Sequence, residues 1–405
     1  MFARQSGSVA DTAPQPFLRL ALALSLGAVV SLGITRFAYG LLLPPMRSDL
    51  QWSYTLAGAM NTANALGYLI GALLTPRLMR RFGPPRLLLG GALLASVFMG
   101  LSGFFTAPAP LLLQRTLAGV ASAFLFISGG LLAARLGAMQ PKRSGLLLGL
   151  YYGGTGLGIT LSAVLVPVVL DAAHGVPHGW AWAWWALSLA CIAATAVLAW
   201  PARVLGDGEL PGTTGASQPQ HFRVRDFAPT LGGYALFGVG YIGYMTFVIA
   251  LLREQGVGAG RITLFYALLG LAVIASSRIW AGLLDRYRGG EPQALLNGLL
   301  GCATIVPALT ASWPLVLVSG LVFGAVFLSV VASTTAIVRH NVPPSQWAAG
   351  ISAFTTVFAF GQIVGPTVVG WIADGQGGLA RGLVFSAAAL WVGAALAWRQ
   401  RPLSQ

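Results

Sequence analysis

Long apolar runs, interrupted by short segments rich in charged residues, Pro and Gly, follow one another along the whole chain. Each run is close to the roughly 20 apolar residues that a helix needs to cross the hydrocarbon core of a bilayer. The pattern predicts an all-α integral membrane protein with twelve transmembrane helices, at residues 18–43, 54–78, 86–106, 110–134, 144–170, 181–201, 228–252, 262–284, 293–311, 313–338, 346–371 and 381–399.

The longest polar stretch divides these spans into two groups of six. Residues 202–227 are rich in Gly, Pro, Thr, Ser and mixed charge, which is typical of a flexible linker. We therefore predict an N-terminal six-helix bundle at 1–201, a cytoplasmic linker at 202–227 and a C-terminal six-helix bundle at 228–405. Two pseudo-symmetric bundles of this kind are the layout of transporters whose halves rock about a site near the membrane midplane.

Composition agrees with a membrane protein and gives its orientation. Only 8% of the 405 residues are charged, against about 25% in soluble domains. Most of the 24 Arg and Lys residues lie between spans on the side that carries both termini, so the positive-inside rule places both termini in the cytoplasm. The net charge of +14 is spread thinly among apolar runs, and we expect no nucleic-acid partner. The first span has no cleavage site before Arg36 and is predicted to be a retained helix.

The sequence lacks the residue patterns that several kinds of enzyme and ATP-driven transporter require. No phosphate-binding G-x-x-x-x-G-K-[ST] loop occurs, and His174 and His178 lie in a loop without the Glu of a zinc peptidase. Cys191 and Cys302 both lie within apolar runs, where no disulfide framework or metal site is expected. We predict no cofactor, no metal and no enzyme activity. The tryptophans at the start of span 6 are interpreted as membrane anchors in an aromatic belt: Trp180, Trp182, Trp184 and Trp185.

Three arginines are predicted within spans, where a charge costs about 2.5–3.5 kcal/mol on insertion scales. Arg36 in span 1 and Arg115 in span 4 are both expected roughly 10 Å below the outer surface. A guanidinium stays charged and forms paired hydrogen bonds with a carboxylate, so the two favour an anion-binding pocket. A structural role is an equally good interpretation of Arg115. Arg278 in span 8 is a third candidate, with snorkelling or gate pairing as its alternatives.

Acidic residues and histidines, unlike the three arginines, are predicted away from the middle of the spans. All ten carboxylates and all four histidines are predicted in tails, loops or helix ends. Pumps and proton-coupled carriers commonly use such a group at membrane depth. We therefore expect proton coupling, if present, to travel with a protonated substrate or to involve a helix-end residue.

Polar stripes on two other spans add secondary candidates. Asn61, Asn64 and Tyr68 recur at helical spacing in span 2, as cavity lining or as interhelical hydrogen bonds, with the second role favoured for Asn61. Tyr241 lies on a tyrosine stripe in span 7, for which core packing is the common explanation. The predicted substrate-binding residues are Arg36, Tyr39, Asn64, Tyr68, Arg115, Tyr241, Arg278 and Gln362.

Particular motifs resemble the major facilitator superfamily (MFS). Residues 282–289 read G-L-L-D-R-Y-R-G, similar to that family's cytoplasmic loop signature, whereas the counterpart after span 2 has Thr75 where the acid should stand. Span 4 carries the Arg-x-x-x-Gly element, and span 11 carries a Gly series followed by Asp374. The resemblance implies the MFS fold and cytoplasmic gate residues at Asp285, Arg286, Arg80 and Arg81. The setting of Arg278 resembles that of the substrate-contacting Arg in oxalate/formate and monocarboxylate transporters.

A narrower resemblance is carried by residues 35–40, T-R-F-A-Y-G, and 61–68, N-T-A-N-A-L-G-Y. These look like the YbfB/YjiJ-like bacterial branch, which implies a multi-pass protein of the bacterial inner membrane. The sequence thus predicts a secondary transporter of a small organic anion, most simply a carboxylate, acting as a monomer in the lipid bilayer. An exporter of amphipathic drugs or metabolites and a non-transporting sensor or assembly factor are the alternatives.

Overall fold

The architecture is given by a computed structural model, which describes residues 15–140, 143–206 and 222–403. Within these ranges every long element is a helix. The α-helices are α1 (Gln15–Ala28), α2 (Tyr39–Leu50), α3 (Tyr54–Phe82), α4 (Pro84–Ser102), α5 (Pro108–Met139), α6 (Ser144–Ala172), α7 (Trp180–Leu205), α8 (Ala228–Glu254), α9 (Ala259–Arg286), α10 (Glu291–Leu309), α11 (Trp313–Asn341), α12 (Pro344–Asp374) and α13 (Gly378–Trp398).

The helices correspond to the twelve predicted spans, with α1 and α2 together forming the first. By length and composition, 11 segments of the described chain could cross a membrane, including the joined segment Phe17–Leu50. The remaining span is α3, which is long enough at 29 residues but is made less apolar by Asn61 and Asn64. The predicted fold class is therefore confirmed. Most of the predicted linker, 207–221, lies outside the described residues.

The first span is not a continuous α-helix. After α1 the chain widens into a π-helix at Val29–Ile34, and residues 35–38 form a turn before α2 begins. The backbone N–H of Thr35 donates to the carbonyl of Val30 (3.0 Å) and that of Phe37 donates to Leu32 (3.1 Å), both five residues back. Wide turns of this kind are frequent at functional sites.

The first span also ends later than its sequence pattern predicts. Pro44 and Pro45 lie inside α2, which continues to Leu50 and not to residue 43. As a result Arg36 lies near the middle of the segment Phe17–Leu50, deeper in the span than the sequence analysis places it.

The two halves of the chain pack closely at one end of the bundle. We call this end, where α2 and α12 finish, the far side. The opposite end, where α1 begins and α13 finishes, is the termini side. A Cβ built on Gly58 in α3 would lie 2.1 Å from the Pro366 carbonyl oxygen in α12. Thr62 adds a hydrogen bond of 2.7 Å from its hydroxyl to the Ile363 carbonyl. Small residues therefore let α3 and α12 touch backbone to backbone.

The helix pair α6 and α9 makes a similar contact near mid-span. A Cβ on Gly156 would lie 2.3 Å from the Gly270 carbonyl oxygen. Towards the termini side, a Cβ on Gly145 or on Gly282 would meet nothing within 4 Å. The halves are thus in backbone contact on the far side and at mid-span, whereas these two glycines nearer the termini side are open.

Candidate functional site

Arg36 lies in the turn between α1 and α2, near mid-membrane. Only 4% of the residue is exposed. Its Nε and Nη2 atoms are buried and have no hydrogen-bond partner among the described residues. A buried charged donor without an acceptor is costly, by at least about 1–3 kcal/mol. Arg36 is therefore a buried charge whose acceptors the described residues do not supply.

Arg115, on α5, is buried as well but is satisfied largely by the protein. Its Nη1 donates to the carbonyl of Thr35 (2.7 Å) and its Nη2 to Oδ1 of Asn61 (3.2 Å), while Nε has no partner. The guanidinium carbon lies 5.1 Å from the ring centre of Tyr39 and 5.5 Å from that of Trp184. Two oxygens and two aromatic faces thus compensate this charge.

The contacts of Arg115 also explain how the turn is held. The Thr35 carbonyl loses its helical partner where the π-helix ends, and Arg115 supplies the donor in its place. The hydroxyl of Tyr266, from the other half of the chain, donates to the Phe37 carbonyl (2.8 Å). Arg36 lies between these two anchored residues, so its backbone is fixed while part of its guanidinium is left unpaired.

Two of the predicted tyrosines lie on the helices that pack against α2. They are Tyr68 in the middle of α3 and Tyr241 in the middle of α8. Neither hydroxyl hydrogen-bonds to another described residue, and the buried side chain of Gln362 in α12 makes no such bond either. Arg36, Tyr68 and Tyr241 thus lie at similar depth on elements of both halves, and the two hydroxyls are unused donors.

The remaining predicted binding residues have other surroundings. The Tyr39 hydroxyl donates to the Ala57 carbonyl (2.8 Å), and Asn64 donates to the Arg115 carbonyl (3.2 Å). Both bonds tie neighbouring helices together. Arg278 is exposed towards the termini side of α9, away from the cluster around Arg36.

The predicted gate residues all lie exposed on the termini side. Among the residues that the structure describes, no salt bridge joins any of them. On the far side, the ring of His178 and the carboxylate of Asp49 are hydrogen-bonded at 2.6 Å. The gate residues in question are Arg80, Arg81, Asp285 and Arg286.

Asn61 makes the interhelical hydrogen bonds that its place in the polar stripe favoured. It connects the halves, because its amide donates to the Thr246 hydroxyl on α8 (2.8 Å) while its oxygen accepts from Arg115. The membrane-anchor interpretation is wrong for Trp184, which is 1% exposed and covers Arg115, and for Trp180, whose indole N–H donates to Asp49 (2.5 Å). A run of tryptophans at a span end does not distinguish a lipid-facing ring from an inward-facing one.

Comparison with known proteins assigns the chain to a family. Residues 28–398 match the model of a family described as "Uncharacterised MFS-type transporter YbfB". A curated relative, the chloramphenicol resistance protein of Streptomyces lividans, is 28% identical over 391 residues, which cover 93% of this chain and 95% of the relative.

Solved structures agree at the level of the fold. The chain is similar to a bacterial homologue of the human lysosomal transporter Spinster in an inward-facing, unoccupied conformation (TM-score 0.74, 15% identity, 95% of this chain and 97% of the other). The nucleoside transporter NupG is also similar (TM-score 0.69, 13% identity, 94% of this chain and 98% of the other). At these identities the likeness shows the fold alone.

Proposed function

The chain belongs to the YbfB-type family of MFS transporters, and we propose that its cargo is a small organic anion, a carboxylate. A multi-pass transporter of this fold moves a small molecule by exposing one central site alternately to the two sides of the membrane. The proposal concerns what that site recognises.

The observation that carries the proposal is the unpaired edge of Arg36. Nε and Nη2 lie on the same edge of the planar guanidinium, so their N–H bonds run nearly parallel. This edge matches the two oxygens of a carboxylate, which accept both bonds at once. Because both atoms are buried without a partner, a bound carboxylate would supply the acceptors that the described protein does not.

The surroundings of Arg36 favour an anion over a neutral solute. Tyr68 and Tyr241 add hydroxyl donors at similar depth, on α3 and α8, which both pack against α2. No described carboxylate pairs with Arg36. The second buried guanidinium, Arg115, already has two protein oxygens. The site thus holds one uncompensated positive charge, which a monovalent anion neutralises.

The geometry also supports a direction of access. With both termini in the cytoplasm of a bacterium, as the basic residues predict, the closed far side faces outwards. The termini side, where Gly145 of α6 and Gly282 of α9 are open, faces inwards. The chain is then in an inward-facing state of the inner-membrane protein. Asn61 and Thr246, hydrogen-bonded at 2.8 Å between α3 and α8, are in contact across the halves in this state.

Ligand binding to the purified protein tests the proposal, because a ligand that binds the folded state raises its apparent stability. We would screen acetate, succinate and benzoate for thermal stabilisation and then measure counterflow of the best one in proteoliposomes. Arg36→Gln is expected to weaken binding at least tenfold. Arg77→Gln, at an exposed arginine of α3, is the matched control and should behave as the wild type. Equal binding by Arg36→Gln would overturn the proposal.

Export of an amphipathic drug is the second candidate, favoured by the name of the Streptomyces lividans relative. In that case chloramphenicol should stabilise wild type and Arg36→Gln equally, and the carboxylates should not stabilise either. Absence of counterflow with every ligand that binds would instead favour a sensor that does not transport.

A further inference from the structure

We propose that the cargo is an aromatic monocarboxylate, whose charged group binds Arg36 and whose flat ring packs against a wall of aromatic side chains in the C-terminal half. This inference rests on the proposed function and names the substrate class of the same site. It joins two separate observations, a single unpaired charge and an ordered set of rings beside it.

The number of available charges limits the anion to one carboxylate. Arg115 donates to Thr35 and Asn61 and is covered by two aromatic rings, so it has little left to offer a second acidic group. Arg278 is exposed on the termini side of α9 and is not part of the cluster around Arg36. A second carboxylate on the cargo would therefore be buried without a cation, which is costly.

The rings form what we call the aromatic column: Tyr234, Phe237 and Tyr241 of α8, Phe358 of α12 and Phe327 of α11. Adjacent rings are nearly parallel. The ring centres of Phe237 and Tyr241 are 4.8 Å apart at 19°, those of Tyr241 and Phe358 are 5.6 Å apart at 19°, and those of Tyr241 and Phe327 are 5.9 Å apart at 8°. Offset stacking of this kind is a favourable arrangement for aromatic rings.

The aromatic column reaches the turn that carries Arg36. Phe37, the next residue after Arg36, packs edge-on against Phe327, with centres 5.9 Å apart at 82°. The charge comes from the N-terminal half and the rings come from the C-terminal half, so one amphipathic molecule can contact both.

Phe358 is the partly exposed member of the column, whereas Phe237 and Tyr241 are buried. It lies 5.4 Å from Phe237 and 4.8 Å from Tyr234, centre to centre, at 10° and 18°. A planar ring placed on its free surface would continue the stacking that the column already shows. A saturated ring of similar size has no π-system and would gain only the apolar contact.

Competition between matched ligands tests the inference. Benzoate and cyclohexanecarboxylate share the carboxylate and the ring size but differ in planarity and π-system. We expect benzoate to bind the wild type roughly two- to tenfold more tightly, as judged by thermal stabilisation and inhibition of counterflow. Terephthalate, with a second carboxylate, and benzamide, with none, should each bind at least tenfold more weakly than benzoate.

Variants of the column provide the second arm. Phe358→Leu should remove the preference for benzoate over cyclohexanecarboxylate, and Phe358→Tyr, which keeps the ring, should retain it. Phe360→Leu is the matched control, because Phe360 lies on the same helix but is 68% exposed. Its preference should equal that of the wild type.

The outcomes separate the two proposals. If benzoate and cyclohexanecarboxylate bind equally, and both depend on Arg36, the aromatic inference is overturned while carboxylate transport stands. Tighter binding of terephthalate would overturn the limit to one charge. If neither benzoate nor cyclohexanecarboxylate depends on Arg36, the proposed function fails together with the inference.

Discussion

The carboxylate of Asp374, the last residue of α12, accepts a hydrogen bond of 2.6 Å from the backbone N–H of Tyr54, the first residue of α3. Its second oxygen accepts from the N–H and the hydroxyl of Thr55, over 2.8 and 2.6 Å. A carboxylate from one half of the chain thus caps a helix start in the other half. The first N–H groups of a helix lack partners within it, and the helix dipole favours a negative charge there.

Asp374→Ala should weaken closure of the far side. Loss of such a cap costs about 1–2 kcal/mol, which shifts a two-state equilibrium about five- to thirtyfold towards the state with the far side open. Spin labels at Gln51 and Gln376, exposed on opposite halves, should report a larger population of long distances. Asp171→Ala, at an exposed far-side carboxylate, is the control. An unchanged distance distribution in Asp374→Ala would contradict the role of the cap.

Arg115→Lys should destabilise the protein although it keeps the charge. A lysine ammonium cannot reproduce the planar pair of bonds to Thr35 and Asn61, and one buried oxygen would lose its donor. We expect a loss of about 1–3 kcal/mol of apparent stability, measured as a lower melting temperature in detergent. A melting temperature equal to that of the wild type would show that the turn does not depend on these bonds.

Arg36→Met should have the opposite effect on stability. The variant removes a buried guanidinium with two unpaired atoms and replaces it with a shorter, flexible apolar chain. Sites built for binding are commonly stabilised when their unpaired polar groups are removed. The melting temperature of the ligand-free protein should stay the same or rise, while carboxylate binding is lost. A marked fall would indicate that Arg36 serves the fold, as Arg115 does.

Gly156→Ala should loosen the contact between the halves. A Cβ there would lie 2.3 Å from the Gly270 carbonyl oxygen, so α6 and α9 would have to move apart near mid-span. The label pair at Gln51 and Gln376 should again show longer distances, and transport should slow. Gly282→Ala is matched in chemistry and lies where a Cβ meets nothing within 4 Å. The prediction fails if both alanine variants give the same distances.

Much of the fold could be predicted from local pattern. The length of each apolar run was sufficient because a bilayer imposes one thickness on every span and requires its backbone to be hydrogen-bonded internally. The same reasoning identified Arg36 and Arg115 as charges within the membrane. The position of a residue along a span gives its depth, and the free energy of burying a charge in the bilayer depends on that depth.

The distinction between the two arginines was decided only by the tertiary structure. Both are buried guanidiniums within predicted spans of the N-terminal half, and no local sequence pattern separates them. Arg115 is satisfied because a turn in another helix presents the Thr35 carbonyl and α3 presents Asn61. Arg36 keeps an unpaired edge because the packing of the halves brings rings and hydroxyls to it but no acidic group. Hydrogen-bond satisfaction of a buried group is a property of its neighbours in space, which a chain acquires only when distant helices meet.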